Sequence, residues 1–216
     1  MSNLNIVIID YDIGNVKSIS NAFLKIGANV KLSRHEDDIL EADGVVLPGV
    51  GAFAHAMNNL KKFDLPRKIK KFVQTGKPLL GICLGMQILF TESEEFGLSE
   101  GLNLISGRVI KFPFQQDLKV KLPNVGWSEL YKPEDRKWEN TILDKLKEEE
   151  DVYFVHSVIC IPEDDKNILS YSEYSNYRFC SSVEMNNISG CQFHPEKSSK
   201  TGIVILENFL KKAERI

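Results

Sequence analysis

Residues 79–90, LLGICLGMQILF, carry an apolar run into Gly81-x-Cys83-x-Gly85. Leu79 to Ile82 reads as a strand buried on both faces, and LGMQILFTES after the cysteine reads as a helix. A strand, a tight turn and a helix make the elbow that exposes a nucleophile, and bracketing glycines leave room for it. A cysteine that only fills a core needs no such bracket. The sulfur is therefore expected at the helix N-terminus, where unpaired amides favour a thiolate. The Leu84 N–H would point at an oxyanion formed beside it.

Outward from this turn, the first half alternates strand and helix signals. NIVIID (5–10), NVKLS (29–33), GVVLPG (44–49) and PLLGI (78–82) read as strands. Between them, 15–27, 36–42 and 53–76 carry helical patterns, the last broken near Pro66. Such alternation requires right-handed crossovers and a parallel sheet covered on both faces. Beyond residue 100 the strand-like runs GRVIKF, KVKLP, VYFVHSVICI, NILSYSEY, FCSSVEM and ISGCQF follow without long helical patterns, until GIVILENFLKKAERI closes the chain. The expected fold is α/β: a mostly parallel central sheet with helices on both faces and antiparallel strand additions in the C-terminal half. Residues 1–216 are expected to form one domain, with the acidic run Glu148 to Asp151 as a solvated loop or helix end.

Bulk properties exclude several functions. The 216 residues, 43% of them hydrophobic, suffice for one core. A net charge of −3 gives no electrostatic footprint for nucleic acid or an anionic membrane. The longest apolar stretch is interrupted by glycines and Gln87 well short of a spanning helix, and MSNLNIVIID lacks signal-peptide features. Cys83, Cys160, Cys180 and Cys191 show no CxxC spacing, so neither a metal site nor a disulfide frame is expected. The expectation is a cytoplasmic protein with reduced thiols and no cofactor.

A thiolate attacking an acyl carbon needs an acid–base partner. His35 and His55 sit among charged or helical surface residues, and His156 lies within a strand, where a core role fits it. His194 follows the strand ending at Phe193, Pro195 fixes a turn, and Glu196 can fold back onto the imidazole. Cys83, His194 and Glu196 would then make a Cys-His-Glu counterpart of the convergent triads. LPGVGAF (47–53) follows the third strand, beside the elbow in a parallel sheet, and Gly49 and Gly51 leave its backbone bare to complete an oxyanion hole with Leu84.

GICLGMQ and FHPE together resemble the class I (triad) glutamine amidotransferases. PGVGAF, SEE followed by GL, GRV, VGW, VYFVHS and QFHPEKS, in this order over essentially all 216 residues, narrow the resemblance to glutaminase subunits of imidazole glycerol phosphate synthase. The resemblance implies hydrolysis of the L-glutamine side-chain amide, with Cys83 as nucleophile, His194 as proton donor and Glu196 as its orienter. It implies oxyanion contacts from the Val50 and Leu84 amides and substrate contacts from Gly49, Gly51, Gln87 and Glu95. It further implies a heterodimer with a (β/α)₈ cyclase subunit of the HisF kind, which receives the ammonia through a channel, and a partner-facing surface including Asn15, Asn124, Trp127 and Lys197.

Two stretches depart from the pattern. The family's PH-x-GW is Pro123-Asn124-Val125-Gly126-Trp127 here, and DYGxGN is Asp10-Tyr11-Asp12-Ile13-Gly14-Asn15. Both are expected toward the partner rather than the cysteine. They leave open a paralogous subunit that supplies ammonia for amidination of a surface-glycan sugar. A partner-independent cysteine hydrolase and a non-catalytic scaffold are the readings from other classes.

Overall fold

The computed structural model describes residues 4–113 and 120–215. In chain order its elements are β1 (Asn5–Ile9), α1 (Val16–Lys25), β2 (Asn29–Ser33), α2 (Glu36–Glu41), β3 (Gly44–Leu47), α3 (Phe53–Lys62), α4 (Leu65–Val73) and β4 (Leu79–Ile82). Then come α5 (Leu84–Gln87), β5 (Phe90–Ser93), β6 (Ser99–Glu100), β7 (Ile105–Lys111), β8 (Asn124–Glu129), β9 (Asp151–His156) and β10 (Val158–Pro162). β11 (Ile168–Tyr174), β12 (Tyr177–Met185), β13 (Ile188–Cys191) and α6 (Ser199–Ala213) complete the chain.

The main sheet runs β2-β1-β3-β4-β13-β12-β10-β7-β5-β6, with β11 on β12. Its first five members are parallel, and β13 enters between β4 and β12. From there the pairings β13–β12, β12–β10 and β10–β7 are antiparallel, as the change of pattern after residue 100 implied. β1 shows why the parallel strands read as unbroken apolar runs. Val7 and Ile9 join one core layer with Phe53, Ile69 and Phe72 of α3 and α4. Ile6 and Ile8 join the opposite layer with Phe23 of α1 and Phe209 of α6, whose rings meet edge-on at 6.0 Å. Pro66 sits in the first turn of α4, where its missing N–H interrupts no helical bond. No helix among the described residues is long and apolar enough to cross a membrane.

Several local expectations change. The helix after Cys83 ends at Gln87, because Phe90 and Thr91 go into β5 and the carbonyls of Ile88, Leu89 and Phe90 accept from the 102–105 backbone instead. VYFVHSVICI breaks at Ser157: β10 stays in the main sheet, while β9 leaves it to pair with β8. In KVKLP, residue 119 lies outside the described residues and 120–123 are not strand. β8 itself was not anticipated. Its Val125 and Trp127 are 56% and 52% exposed, so it lacks the apolar-inward alternation that marks a strand.

Candidate active site

The carboxyl ends of four neighbouring parallel strands, β1, β3, β4 and β13, converge on Cys83. The cysteine takes φ 54 and ψ −111, a conformation that costs on the order of 1–3 kcal/mol for a residue with a side chain. The unusual angles fall on Cys83 itself and not on its flanking glycines. Those glycines are required by contact. A Cβ on Gly81 would lie 2.7 Å from the Gly85 carbonyl oxygen, and one on Gly85 would lie 1.8 Å from that of Leu47. With α5 only one turn long its dipole is small, and side chains add to whatever its first amides give the sulfur.

β13 supplies those side chains. Cys191 registers with Ile82, and three residues later His194 is 2% exposed with its imidazole engaging the Cys83 thiol. Its Nδ1 lies 2.8 Å from Glu196 Oε1. Burial works against the imidazolium, but hydrogen bonds to Cys83 and Glu196, with the charges of both, outweigh it and push His194 up to about 10. Asn15 Nδ2 donates to the same Oε1 at 2.7 Å, while Oε2 is buried without a hydrogen-bond partner. The turn is held by Ser198, whose hydroxyl donates to the His194 carbonyl at 2.7 Å and accepts from Tyr153 N at 2.9 Å.

The loop after β3 lies against the elbow. A Cβ on Gly49 would meet Leu84 Cβ and Tyr11 Oη at 2.8 Å each, so Gly49 is a packing position that admits the elbow rather than a wall of the cleft. Val50, Gly51 and Leu84 do line the cleft, and Gly51 has φ 106. Tyr11, buried beneath, donates its hydroxyl to the Pro48 carbonyl; burial, then the nearby Cys83 charge, pushes that phenol up. Glu95 also faces the cleft, and its Oε2 accepts from Phe53 N at 3.0 Å at the start of α3. The bare loop is thereby pinned at both ends.

The cleft encloses about 230 Å³. Gln87 reaches it from α5 and donates Nε2 to Gln192 Oε1 at 3.1 Å. Gln192 and Ser157 were missed in the sequence. Both lie in motifs that carry the resemblance, Gln192 opening QFHPEKS and Ser157 ending VYFVHS, but nothing local distinguishes them from their neighbours. His156 is buried among Phe112, Phe154 and Phe179. Its Nδ1 faces the Val158 carbonyl at 2.8 Å and its Nε2 faces Asn124 Nδ2 at 3.0 Å, the arrangement of a neutral ring protonated at Nδ1. Burial, with the His194 charge adding to it and the Val158 bond opposing, lowers it to about 4.

Two residues expected on a partner-facing surface also make contacts within the chain. Asn124 is 2% exposed, its amide held by His156, and the Asn15 amide is held by Glu196. In each departing stretch one amide turns inward while its neighbours Asp12, Val125 and Trp127 stay exposed. Asp12, where the family carries glycine, takes φ 62 and pairs with Arg34 at 2.8 Å. Trp127 and Lys197 remain at the surface, where Tyr153 meets the Trp127 ring at 5.7 Å and the Lys197 ammonium at 5.9 Å. A thiol, an imidazole and a carboxylate in one buried line, beside a loop of bare amides, can carry out acyl transfer.

Comparison with known proteins agrees with this chemistry. Residues 7–213 match the family model described as glutamine amidotransferase class-I. The imidazole glycerol phosphate synthase subunit HisH of Aquifex aeolicus is 46% identical over 211 residues, 97% of this chain and 98% of that protein. The HisH subunit of Sulfurimonas denitrificans is 44% identical over 209 residues, 95% and 97% of the two chains. Among solved structures, PurLQS from Thermotoga maritima superposes with a TM-score of 0.69 at 18% identity, covering 97% of this chain and 98% of that one. A glutamine amidotransferase from the same organism gives 0.62 at 16% identity, covering 100% and 86%. At such identities the structures speak for the fold alone.

Proposed function

The chain belongs to the class-I glutamine amidotransferases, and from that membership we propose that it is the glutaminase subunit of an imidazole glycerol phosphate synthase. It acts as a single domain over residues 1–216, in the cytoplasm, as one half of a heterodimer. Cys83 Sγ attacks the carboxamide carbon of L-glutamine, and the oxyanion is received by the amides of Val50 and Leu84. As the C–N bond breaks, the imidazolium of His194 gives its proton to the departing nitrogen, and ammonia leaves. Water, deprotonated by His194, then attacks the thioester; glutamate departs and the thiol is restored. Glu196 holds the imidazole through Nδ1, and Gln87, Gly51 and Glu95 border the space for the amino acid. The observation that supports this most is the buried Cys83–His194–Glu196 line opening into a cleft of amino-acid size.

The partner is a (β/α)₈ cyclase subunit of the HisF kind, seated over the cleft mouth, so that ammonia passes into it without meeting water. Val50, Leu122, Val125 and Trp127, each 39–56% exposed, with Lys197 at the mouth, suit a surface that another chain covers. The departures at Asp12 and Asn124 keep a subunit that supplies ammonia to a surface-glycan pathway as the second reading; Asn124 is buried on His156, while Asp12 is exposed beside Arg34. The test is glutamate release from glutamine in the presence of the cyclase subunit. Wild type should turn over and Cys83→Ala should not, and the wild-type gene should restore a histidine auxotroph lacking this subunit. A complex as active with Cys83→Ala as without it would end the proposal.

A further inference from the structure

Gln192 is fully buried between the two working parts of the site. Its Nε2 lies 3.6 Å from Cys83 Sγ, and its Oε1 accepts from Gln87 Nε2 at 3.1 Å. Its backbone is fixed by the bond from Gln192 N to the Ser181 carbonyl at 2.9 Å, so the side chain projects from a strand end that cannot swing. Turning both amides over would set a carbonyl oxygen against the sulfur, which repels a thiolate. The Gln87–Gln192 pairing is satisfied either way, so the thiolate itself selects the orientation in which Gln192 gives it an N–H, and Gln87 then accommodates that choice.

The other groups around the sulfur leave a task for that N–H. The Val155 carbonyl, 3.7 Å away, can accept a thiol proton but opposes a thiolate. α5 is one turn long and contributes only a small dipole. Only His194, among the other described side chains, engages the sulfur with a proton to give, and it must release that proton during each turnover.

We propose that Gln192 is a catalytic residue of this site: its side-chain amide donates a permanent hydrogen bond to the Cys83 thiolate and is held in register by Gln87. An amide does not titrate, so this donor stays in place while His194 alternates between acid and base. Gln87 then has a second role, since a residue bordering the substrate also holds the group that tunes the nucleophile. The proposal rests on the glutaminase reading for its meaning, but its test reads the sulfur directly.

The test is the pH dependence of Cys83 alkylation by iodoacetamide in the full-length chain, followed by mass spectrometry of the Cys83 peptide. Burial pushes the Cys160, Cys180 and Cys191 thiols up and none of them lines the cleft that reaches Cys83, so they should react slowly. Gln192→Met keeps most of the volume and removes the donor. It should move the midpoint of the alkylation profile up by about one to two pH units and slow alkylation at pH 7 by about tenfold or more. Gln192→Glu, nearly the same shape but without a neutral donor, should shift it the same way, and decides the matter if the methionine variant fails to fold. Folded variants whose profiles superpose on the wild type would overturn the proposal. If alkylated wild type still hydrolysed glutamine in the complex, the glutaminase reading would fail instead, whatever the profiles show.

Discussion

Asn15 and Glu196 are 181 positions apart in the chain and joined by a 2.7 Å hydrogen bond, from the amide of one to the carboxylate oxygen that also holds His194. Asn15 stands at the start of α1 with φ 72 and makes no side-chain cap, so its amide is free to serve the carboxylate instead of the helix. The bond restrains a carboxylate whose second oxygen has no hydrogen-bond partner. Asn15→Leu should lower kcat for glutamate release on the order of ten- to a hundredfold, the worth of a hydrogen bond to a charged group, with KM nearly unchanged. Steady-state kinetics in the complex checks this, and an unaltered kcat would remove Asn15 from the site.

Glu196→Gln keeps the shape and removes the charge. Burial disfavours the imidazolium, and Glu196 is one of the two groups that overcome it. Without the charge the folded-state pKa of His194 should drop from about 10 toward or below its ordinary value. The alkaline limb of the kcat profile, which follows loss of the imidazolium, should move to lower pH. A limb that stays in place would show that a different group sets it.

His156 makes the opposite contribution to stability. Its folded value, about 4, is below the ordinary 6.5, so the folded chain prefers the neutral ring. That preference is fully present above pH 6.5 and is lost as pH falls toward 4, by up to about 3 kcal/mol. Urea unfolding midpoints at pH 7.5, 6 and 5 should decline for the wild type and decline less for His156→Phe. Parallel declines would contradict the assignment.

Gly85→Ala tests the elbow without touching its chemistry. The added Cβ would sit 1.8 Å from the Leu47 carbonyl oxygen, in backbone that pairs β3 with β4 and has little freedom to retreat. A loss of about 3 kcal/mol or more is expected by urea denaturation. Gly14→Ala, with open space around its Cβ and no positive φ, should stay within about 0.5 kcal/mol. Equal stabilities for the two variants would mean that the elbow is not packed as described.

If the proposed cyclase subunit is the partner, Trp127→Ala should weaken its binding by about 2 kcal/mol or more, roughly thirtyfold in Kd, and leave the melting temperature nearly unchanged. The indole is half exposed and contributes little to the core, so a large fall in melting temperature would assign it a folding role instead.

The parallel half of the fold was legible because its strands bury both faces and its helices carry clear stripes, with Phe23 of α1 and Phe209 of α6 in one core layer. The elbow was legible because Gly81-x-Cys83-x-Gly85 is dictated by contacts within a few residues. Less local features were not. The end of the helix at Gln87 is decided by pairing with 102–105, and the position of Asn15 by a residue at the far end of the chain. β8 was hidden because its large side chains face outward, which defeats a search for inward apolar faces. Gln192 opens the QFHPEKS motif, but its role is set by contacts with Cys83 and Gln87, more than a hundred positions away.

β13 closes the sheet from its middle, between β4 and β12, and delivers His194 from the last thirty residues or so of the chain. A polypeptide emerging from the ribosome therefore displays its reactive sulfur long before the base arrives. Until that strand slots in, one border of β4 stays unpaired and open to mispairing with another chain. Because β13 carries the imidazole to the sulfur, any chemistry that needs both groups must wait until that strand has joined the sheet.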